Sequence, residues 1–377
     1  MRSLSNMKVG IVVLLVLPIL VPAWNPKCIS TPVGFGRNTT GGSGGRTVVP
    51  TSLSQLTDFL KSTERLIIDL QTTFDFTKSE GTANDKGCFY NNCGGNGQKS
   101  LIHDSTSCAN RNSTTVSYYK AGTTGLIVSS NKTIRSTNGK GVLVGKGLRI
   151  SLANNVIVRD ITFQDINPQV IWGGDAIIFD RVSNVWIHNC TFRRIGRMHL
   201  VTWTYANTGI TVSSCQFDGT TPYSVYCDGQ HYWLWLFWGT NDQITLFNNR
   251  VYNVAGRIPH ASGTSTAKSV VHLVGNEFDT NKHNGMEPRR GSYILAEGNK
   301  FINYRNVVLP SAQGGFLELI DTAAQAATCQ AYFGQSCKVN TYQNTTRSPA
   351  RADIAVLNQF SKLDRTAING ARAAVCE

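Results

Sequence analysis

The run Asn155-Val156-Ile157-Val158-Arg159-Asp160-Ile161-Thr162-Phe163 returns with changed side chains at 184–192, 209–217, 243–251, 270–278 and 293–301. Each copy is rich in Val, Ile or Thr and ends on an aromatic or apolar residue: Phe163, Phe192, Phe217, Val251, Phe278 and Phe301. These ends lie 29, 25, 34, 27 and 23 residues apart. Two places before them stand Ile161, Cys190, Cys215, Asn249, Asn276 and Asn299, so one register carries like residues from copy to copy. Stacked asparagines can hydrogen-bond along such a ladder while the aromatic residues stack inside. Coils of this length with variable loops predict an all-β fold, a right-handed parallel β-helix. A propeller would need four strands in every block of roughly 40 to 50 residues, and that period is absent.

Outward from the repeat, Leu53, Leu56, Phe59 and Leu60 share one helical face behind Thr51 or Ser52. This predicts a short N-terminal capping helix. Towards the other end, only 352–363 reads as helical. One stretch puts chemistry on the repeat. Trp172-Gly173-Gly174-Asp175-Ala176 combines a bulky residue, two glycines that permit close approach and a carboxylate. Arg197, closing Arg193-Arg194-Ile195-Gly196-Arg197, follows Asp175 by 22 residues, about one coil, so the two are expected on neighbouring coils. Taken bare, such a string is ordinarily a turn before a strand.

The chain of 377 residues opens with Arg2 and Lys8 before an almost wholly apolar run, 9–22, that is short for a membrane span and broken by Pro18. Residues 1–23 are therefore expected to be a secretory signal peptide, and the length of 24–377 suits one large domain or two ordinary ones. Ten cysteines, an even number without a CxxC, fit disulfides in a secreted, extracellular protein. Sequons at Asn38, Asn112, Asn131, Asn189 and Asn344 are candidate glycosylation sites, although Asn189 lies in a strand-like run. Loss of Arg2 and Lys8 lowers the formal charge from +13 to about +11, which favours an anionic partner. Export makes an acidic polysaccharide a better candidate than nucleic acid, and no later stretch suits a membrane. Gly41-Gly42-Ser43-Gly44-Gly45 matches a serine nucleophile elbow only formally, because no buried strand precedes it and no helix follows.

Further runs occur in order along the chain: Ile127-Val128-Ser129-Ser130-Asn131-Lys132-Thr133-Ile134, Gly145-Lys146-Gly147-Leu148-Arg149 and Asp165-Ile166-Asn167-Pro168. After the Trp172 and Arg197 stretches come Gly229-Gln230-His231-Tyr232-Trp233, Gly256-Arg257-Ile258-Pro259 and Leu295-Ala296-Glu297-Gly298-Asn299. With these, the chain resembles the pectin lyases of the polysaccharide lyase superfamily from about Gly34 to Cys337. The resemblance implies a single β-helix domain over 24–377 with a cleft on one side, and cleavage of pectin's α-1,4-galacturonan methyl ester by β-elimination. No cofactor or metal and no partner beyond pectin are implied, and a monomer is expected. Carried over by motif, Arg257 is the base that removes the C5 proton, Asp175 and Arg197 stand beside it, and Trp172, Tyr232 and Trp233 line the sugar subsites. The resemblance also implies disulfides Cys88–Cys108, Cys93–Cys227 and Cys329–Cys337, leaving Cys28, Cys190, Cys215 and Cys376 unassigned.

Removing a proton beside a carboxyl group builds negative charge there, so the site needs a cation, a metal or an esterified carboxyl. Arginine is an awkward base, since its unperturbed pKa is about 12.5 or higher. Neighbouring positive charge and desolvation would have to bring it down. Arg197 and an aromatic wall are candidates for those two roles. A calcium-dependent pectate lyase would need several carboxylates, whereas Arg197 stands where one is expected, with Arg193 and Arg194 nearby. A hydrolytic polygalacturonase needs close carboxylates, and the chain has no Asp-Asp pair. An inactive pectin-binding β-helix could keep the aromatic run 232–238 but would have no need of Arg257. Three departures from the family stand out: His188-Asn189 after Trp186-Ile187 where Asp-His is usual, His260 where lysine is common, and no tryptophan between Trp24 and Trp172. Strand alternation would put Trp233 and Trp235 on one face and Trp238 on the other.

Overall fold

The computed structural model describes residues 29–264, 266–309, 314–346 and 351–375. The leader expected at 1–23, Cys28 and Cys376 lie outside them. The chain winds as a right-handed parallel β-helix of stacked coils. One face is a ten-stranded parallel sheet that includes Asn154–Arg159, Ser183–His188, Thr208–Ser213, Gln243–Phe247, Ser269–Val274 and Ser292–Glu297. A second face carries Thr162–Ile166, Thr191–Ile195, Gln216–Asp218, Arg250–Tyr252 and the long strand Glu277–Pro288, through which it joins a third. That third face runs Leu126–Val128, Leu148–Ser151, Ile177–Asp180, Leu200–Thr202, Trp235–Phe237, His260–Ala261.

Each nine-residue repeat is thus two strands meeting at a corner, not one strand. The residue before the ladder position turns the chain with a left-handed backbone: Asp160, Asn189, Ser214, Asn248, Gly275 and Gly298 have φ of 60°, 49°, 53°, 49°, 67° and 62°. Asn, Asp and Gly visit that region most readily, which explains the polar spacing between apolar runs. The expected register holds throughout, with Phe163, Phe192, Phe217, Val251, Phe278 and Phe301 paired in turn. Phe192 stacks on Phe163 at 5.0 Å and on Phe217 at 4.8 Å, and Phe301 stacks on Phe278 at 5.1 Å. Beside them Asn249 donates to Asn276 at 3.0 Å, Asn276 to Asn299 at 2.9 Å and Asn299 to Asn340 at 3.1 Å. Cys190 and Cys215 occupy the same ladder as buried free thiols.

Helix α1, Leu53–Lys61, caps the core with Leu56 and Leu60 buried and Ser52 accepting from the Gln55 amide at 3.2 Å. Helicity near the C-terminus is more extensive than expected: α2, Ala323–Phe333, and α4, Arg365–Ala373, flank α3, Ile354–Phe360. Helix α2 is rich in Ala and Gln without an apolar stripe, so only its capping box, Thr322 with Gln325, advertises it. All three pack outside the ten-stranded sheet around Val270, Leu295 and Phe360. The three implied disulfides, Cys88–Cys108, Cys93–Cys227 and Cys329–Cys337, are formed. Among the described residues no helix is long and apolar enough to cross a membrane.

Candidate active site

The residues singled out in sequence converge on one line of corners, each just before a strand of the third face. Trp172 and Asp175 precede Ile177–Asp180, Arg197 precedes Leu200–Thr202, Tyr232 and Trp233 precede Trp235–Phe237, and Arg257 precedes His260–Ala261. The floor between them is a single row across the sheet: Arg149, Ile178, Val201, Leu236, His260 and Glu287 are register partners in turn.

Asp175 and Arg197 meet across neighbouring coils, as the 22-residue gap predicts. Arg197 Nη1 lies 2.8 Å from Asp175 Oδ2, and the Met198 amide donates to Asp175 Oδ1 at 2.8 Å. The Arg197 guanidinium lies 3.8 Å over the Trp172 ring. Both carboxylate oxygens are therefore already engaged. Close approach explains the glycines, since a Cβ on Gly174, at φ +142°, would stand 2.1 Å from the Gly122 carbonyl oxygen. Arg193 and Arg194, expected to add to the positive charge, do not. Their position on the second face pairs Arg193 with Gln164 at 2.6 Å and Arg194 with Asp165 at 2.5 and 2.7 Å.

Arg257 has a left-handed backbone, φ +56°, and its guanidinium lies 4.6 Å over Trp233 and 5.9 Å from the Tyr232 ring centre. Among the described residues it forms no ion pair, and its buried Nε has no hydrogen-bond partner. Burial lowers its pKa from the usual arginine range; Tyr232 and Glu287 oppose this and the charge of Arg197 assists it. The glycine of Gly256-Arg257 is needed because a Cβ there would stand 2.4 Å from the Tyr232 ring.

The tryptophans divide differently from simple alternation. Trp233 precedes the strand and, contrary to the expected sugar-lining role, is buried beneath the Arg257 guanidinium, its Nε1 donating to Gln98 at 2.8 Å, whereas Trp235 begins the strand and is fully buried in the main core. Alternation applies only once the strand has begun. Trp238 is exposed. In place of tryptophan, the loop after Lys99–Leu101 contributes His103, stacked 3.8 Å from Trp172. The His188-Asn189 departure lies at the ladder corner, where His188 contacts Ser213 and Asn189 donates to Asp160, outside the cleft.

Two supporting residues escaped sequence reasoning. His231 Nε2 lies 2.9 Å from the Arg197 carbonyl oxygen and 3.0 Å from that of Trp233, tying two corners together. Burial pushes its pKa down to about 4, so the neutral ring donates there over most of the pH range. Glu287 accepts from Tyr232 Oη at 3.3 Å, the Arg257 amide at 3.4 Å, His260 Nδ1 at 3.1 Å and Arg289 at 3.2 Å. Although burial works against the charged form, these hydrogen bonds and the Arg257 charge hold Glu287 at about 2. His231 stands inside a quoted run and was open to detection; Glu287 reaches the site only through its register with His260.

No family model matches the chain. Among curated proteins it is 38% identical over 320 residues to probable pectin lyase D of Aspergillus flavus, covering 84% of each chain. It is 38% identical over 332 residues to pectin lyase B of Emericella nidulans, covering 87% of this chain and 86% of that one. Among solved structures, pectate lyase II of Xanthomonas campestris aligns with a TM-score of 0.54 at 18% identity, over 92% of this chain and 100% of that one. Pectate lyase Bsp165PelA of Bacillus sp. N165, solved with trigalacturonate, aligns with a TM-score of 0.51 at 17% identity, over 88% and 97%. The structural likenesses carry the fold, and the identity and coverage of the curated relatives carry the family: the chain belongs to the pectin lyases and is a polysaccharide lyase.

Proposed function

We propose that this lyase is secreted and cleaves methyl-esterified α-1,4-galacturonan by β-elimination without calcium. Arg257 takes the C5 proton, the electron pair left on C5 forms the C4–C5 double bond, and the C4–O4 bond breaks. The departing oxygen then gains a proton. As the proton leaves, charge grows on the neighbouring ester carbonyl, where Arg197, oriented by Asp175, is the available cation. Trp172 and Tyr232 hold the sugars, and Trp233, buried beneath Arg257, supports the guanidinium and excludes water from below it.

The observation that carries the reading is Arg257 itself: a guanidinium that, among the described residues, has no carboxylate ion-pair partner, laid on Trp233, with burial first and the Arg197 charge after it lowering its pKa. Calcium independence is supported by the donor set, since both oxygens of Asp175 are taken by Arg197 and the Met198 amide. The three disulfides and the leader-like start support export. Ultraviolet absorbance of the unsaturated product, on esterified and de-esterified pectin with and without chelator, tests the whole reading. Release from esterified pectin that survives chelator is expected; abolition by chelator with recovery on added calcium would make the enzyme a pectate lyase.

A further inference from the structure

The cleft does not end at Trp172. Beyond it, on the exit side of the same strands, Trp203 follows Leu200–Thr202 and Trp238 follows Trp235–Phe237, exposed by 40% and 43%. Large aromatic residues held open to solvent call for an explanation, and their backbone is firmly held. The wholly buried Asp242 accepts from Thr202 Oγ1 at 2.6 Å, Asn207 Nδ2 at 3.0 Å and the Gly239 amide at 2.9 Å. Thr202 in turn accepts the Trp238 amide at 3.0 Å, and Asn207 donates to the Trp203 carbonyl at 3.2 Å.

Two adjoining cavities share Trp203 and Ile178. One, of about 410 Å³, contains Trp172, Asp175 and Arg197; the other, of about 620 Å³, runs on to Arg149 and helix α1. The Arg149 guanidinium covers one side of the Trp203 ring at 4.3 Å. Its charge is not cancelled locally, because Asp180 is shared between Arg149 at 2.7 Å and Arg181 at 3.0 Å. The other charges around that cavity offset one another: Lys146 pairs with Glu80 at 2.7 Å, and Asp58 faces Lys61 in number. From Arg149 to His260, beside Arg257, is four strand steps, or about 19 Å.

We propose that Trp203 and Arg149 form a further subsite that binds an uncleaved galacturonate unit of the same polymer, several sugars from the scission point. The indole takes the apolar face of the ring, and Arg149 takes a free carboxylate. This rests on the lyase reading above and adds a preference: a partly esterified chain, with its ester at Arg257 and a free acid at Arg149, fits better than a uniformly esterified one.

The test compares kcat/KM of the full chain on a methyl-esterified trimer, too short to span the floor, and on partly esterified octamers. Trp203→Ala is expected to lower the octamer-to-trimer ratio about tenfold, with Trp203→Phe restoring most of it. Arg149→Gln is expected to remove the advantage of octamers bearing free carboxylates over fully esterified ones. An unchanged ratio, or an equal loss on trimer and octamer, would overturn the subsite while leaving the lyase reading intact. Titration of octamer by intrinsic tryptophan fluorescence reads the subsite independently of turnover. A parent that binds octamer about tenfold more tightly than Trp203→Ala but releases no unsaturated product from any pectin would keep the subsite and overturn the lyase reading. Equal affinities would overturn the subsite whether or not the parent is active.

Discussion

The corner between the first two faces and the corner that opens onto the third obey opposite rules. At the first, every coil from Asp160 to Gly298 turns on one left-handed residue and then places a ladder residue, so neighbouring coils are interchangeable there. At the second, the connection has four residues between Ile195 and Leu200 but sixteen between Asp218 and Trp235. The uniform corner satisfies its own polar groups coil by coil, through Asn249, Asn276, Asn299 and Asn340. The variable corner leaves a guanidinium at Arg257 without an ion pair among the described residues. Stability is stored where the coils agree, and the proposed chemistry falls where they differ.

That division can be broken most sharply at Arg257. Arg257→Lys keeps the charge but loses the planar donors, and its turnover is expected to fall by about 10²- to 10⁴-fold, with the denaturation midpoint little moved. Retention of more than about a tenth of the rate would place the base elsewhere. The reciprocal change is Asn276→Ala. It strands the Leu246 carbonyl and the Asn249 amide in the core, and chemical denaturation should show a loss of about 2 to 4 kcal/mol. Turnover per folded molecule should not change; a loss there as well would mean that the two corners are coupled. Arg197→Lys should cost less than Arg257→Lys, about tenfold, because a point charge serves for stabilising charge better than for proton transfer.

The smallest expected effect runs through both corners. Glu287 at the cleft and Glu297 beside the ladder sit at about 2 in the folded chain against an ordinary 4.5, so their stabilisation is complete above 4.5 and is lost as pH falls towards 2. Burial raises Glu318 to about 7 and Asp242 to about 6, so their contribution is complete below their ordinary values and is lost as pH rises through the raised ones. The thermal midpoint should therefore be highest near about pH 4 to 4.5 and fall on either side. Glu318→Gln should make the alkaline arm shallower, leaving Asp242 to shape the rest, without touching the acid arm; an unaltered alkaline arm would rule Glu318 out as a contributor.

The same contrast explains what could be read from sequence. The Phe163 to Phe301 stack was legible because its spacing survives in the chain, each coil returning to the same register. Asp175 and Arg197 were legible because the coil between their strands, Ile177–Asp180 and Leu200–Thr202, has only short connections. Glu287 and Trp203 were not, since their neighbours are set by lateral register across loops of unequal length. The error over Trp233 and Trp235 had the same source: period-two alternation says nothing about where a strand begins.

The unequal lengths of the cleft connections bear on how such an enzyme can change over evolution. Each coil touches mainly its neighbours, so a longer connection costs little beyond its own closure entropy, about 0.6 kcal/mol for each doubling of length. A lineage can therefore rebuild the wall facing the polymer one loop at a time, as the sixteen residues before Trp235 illustrate, while the ladder keeps the coils in step. Loop transplantation between related lyases should accordingly redirect polymer preference at little expense in folding.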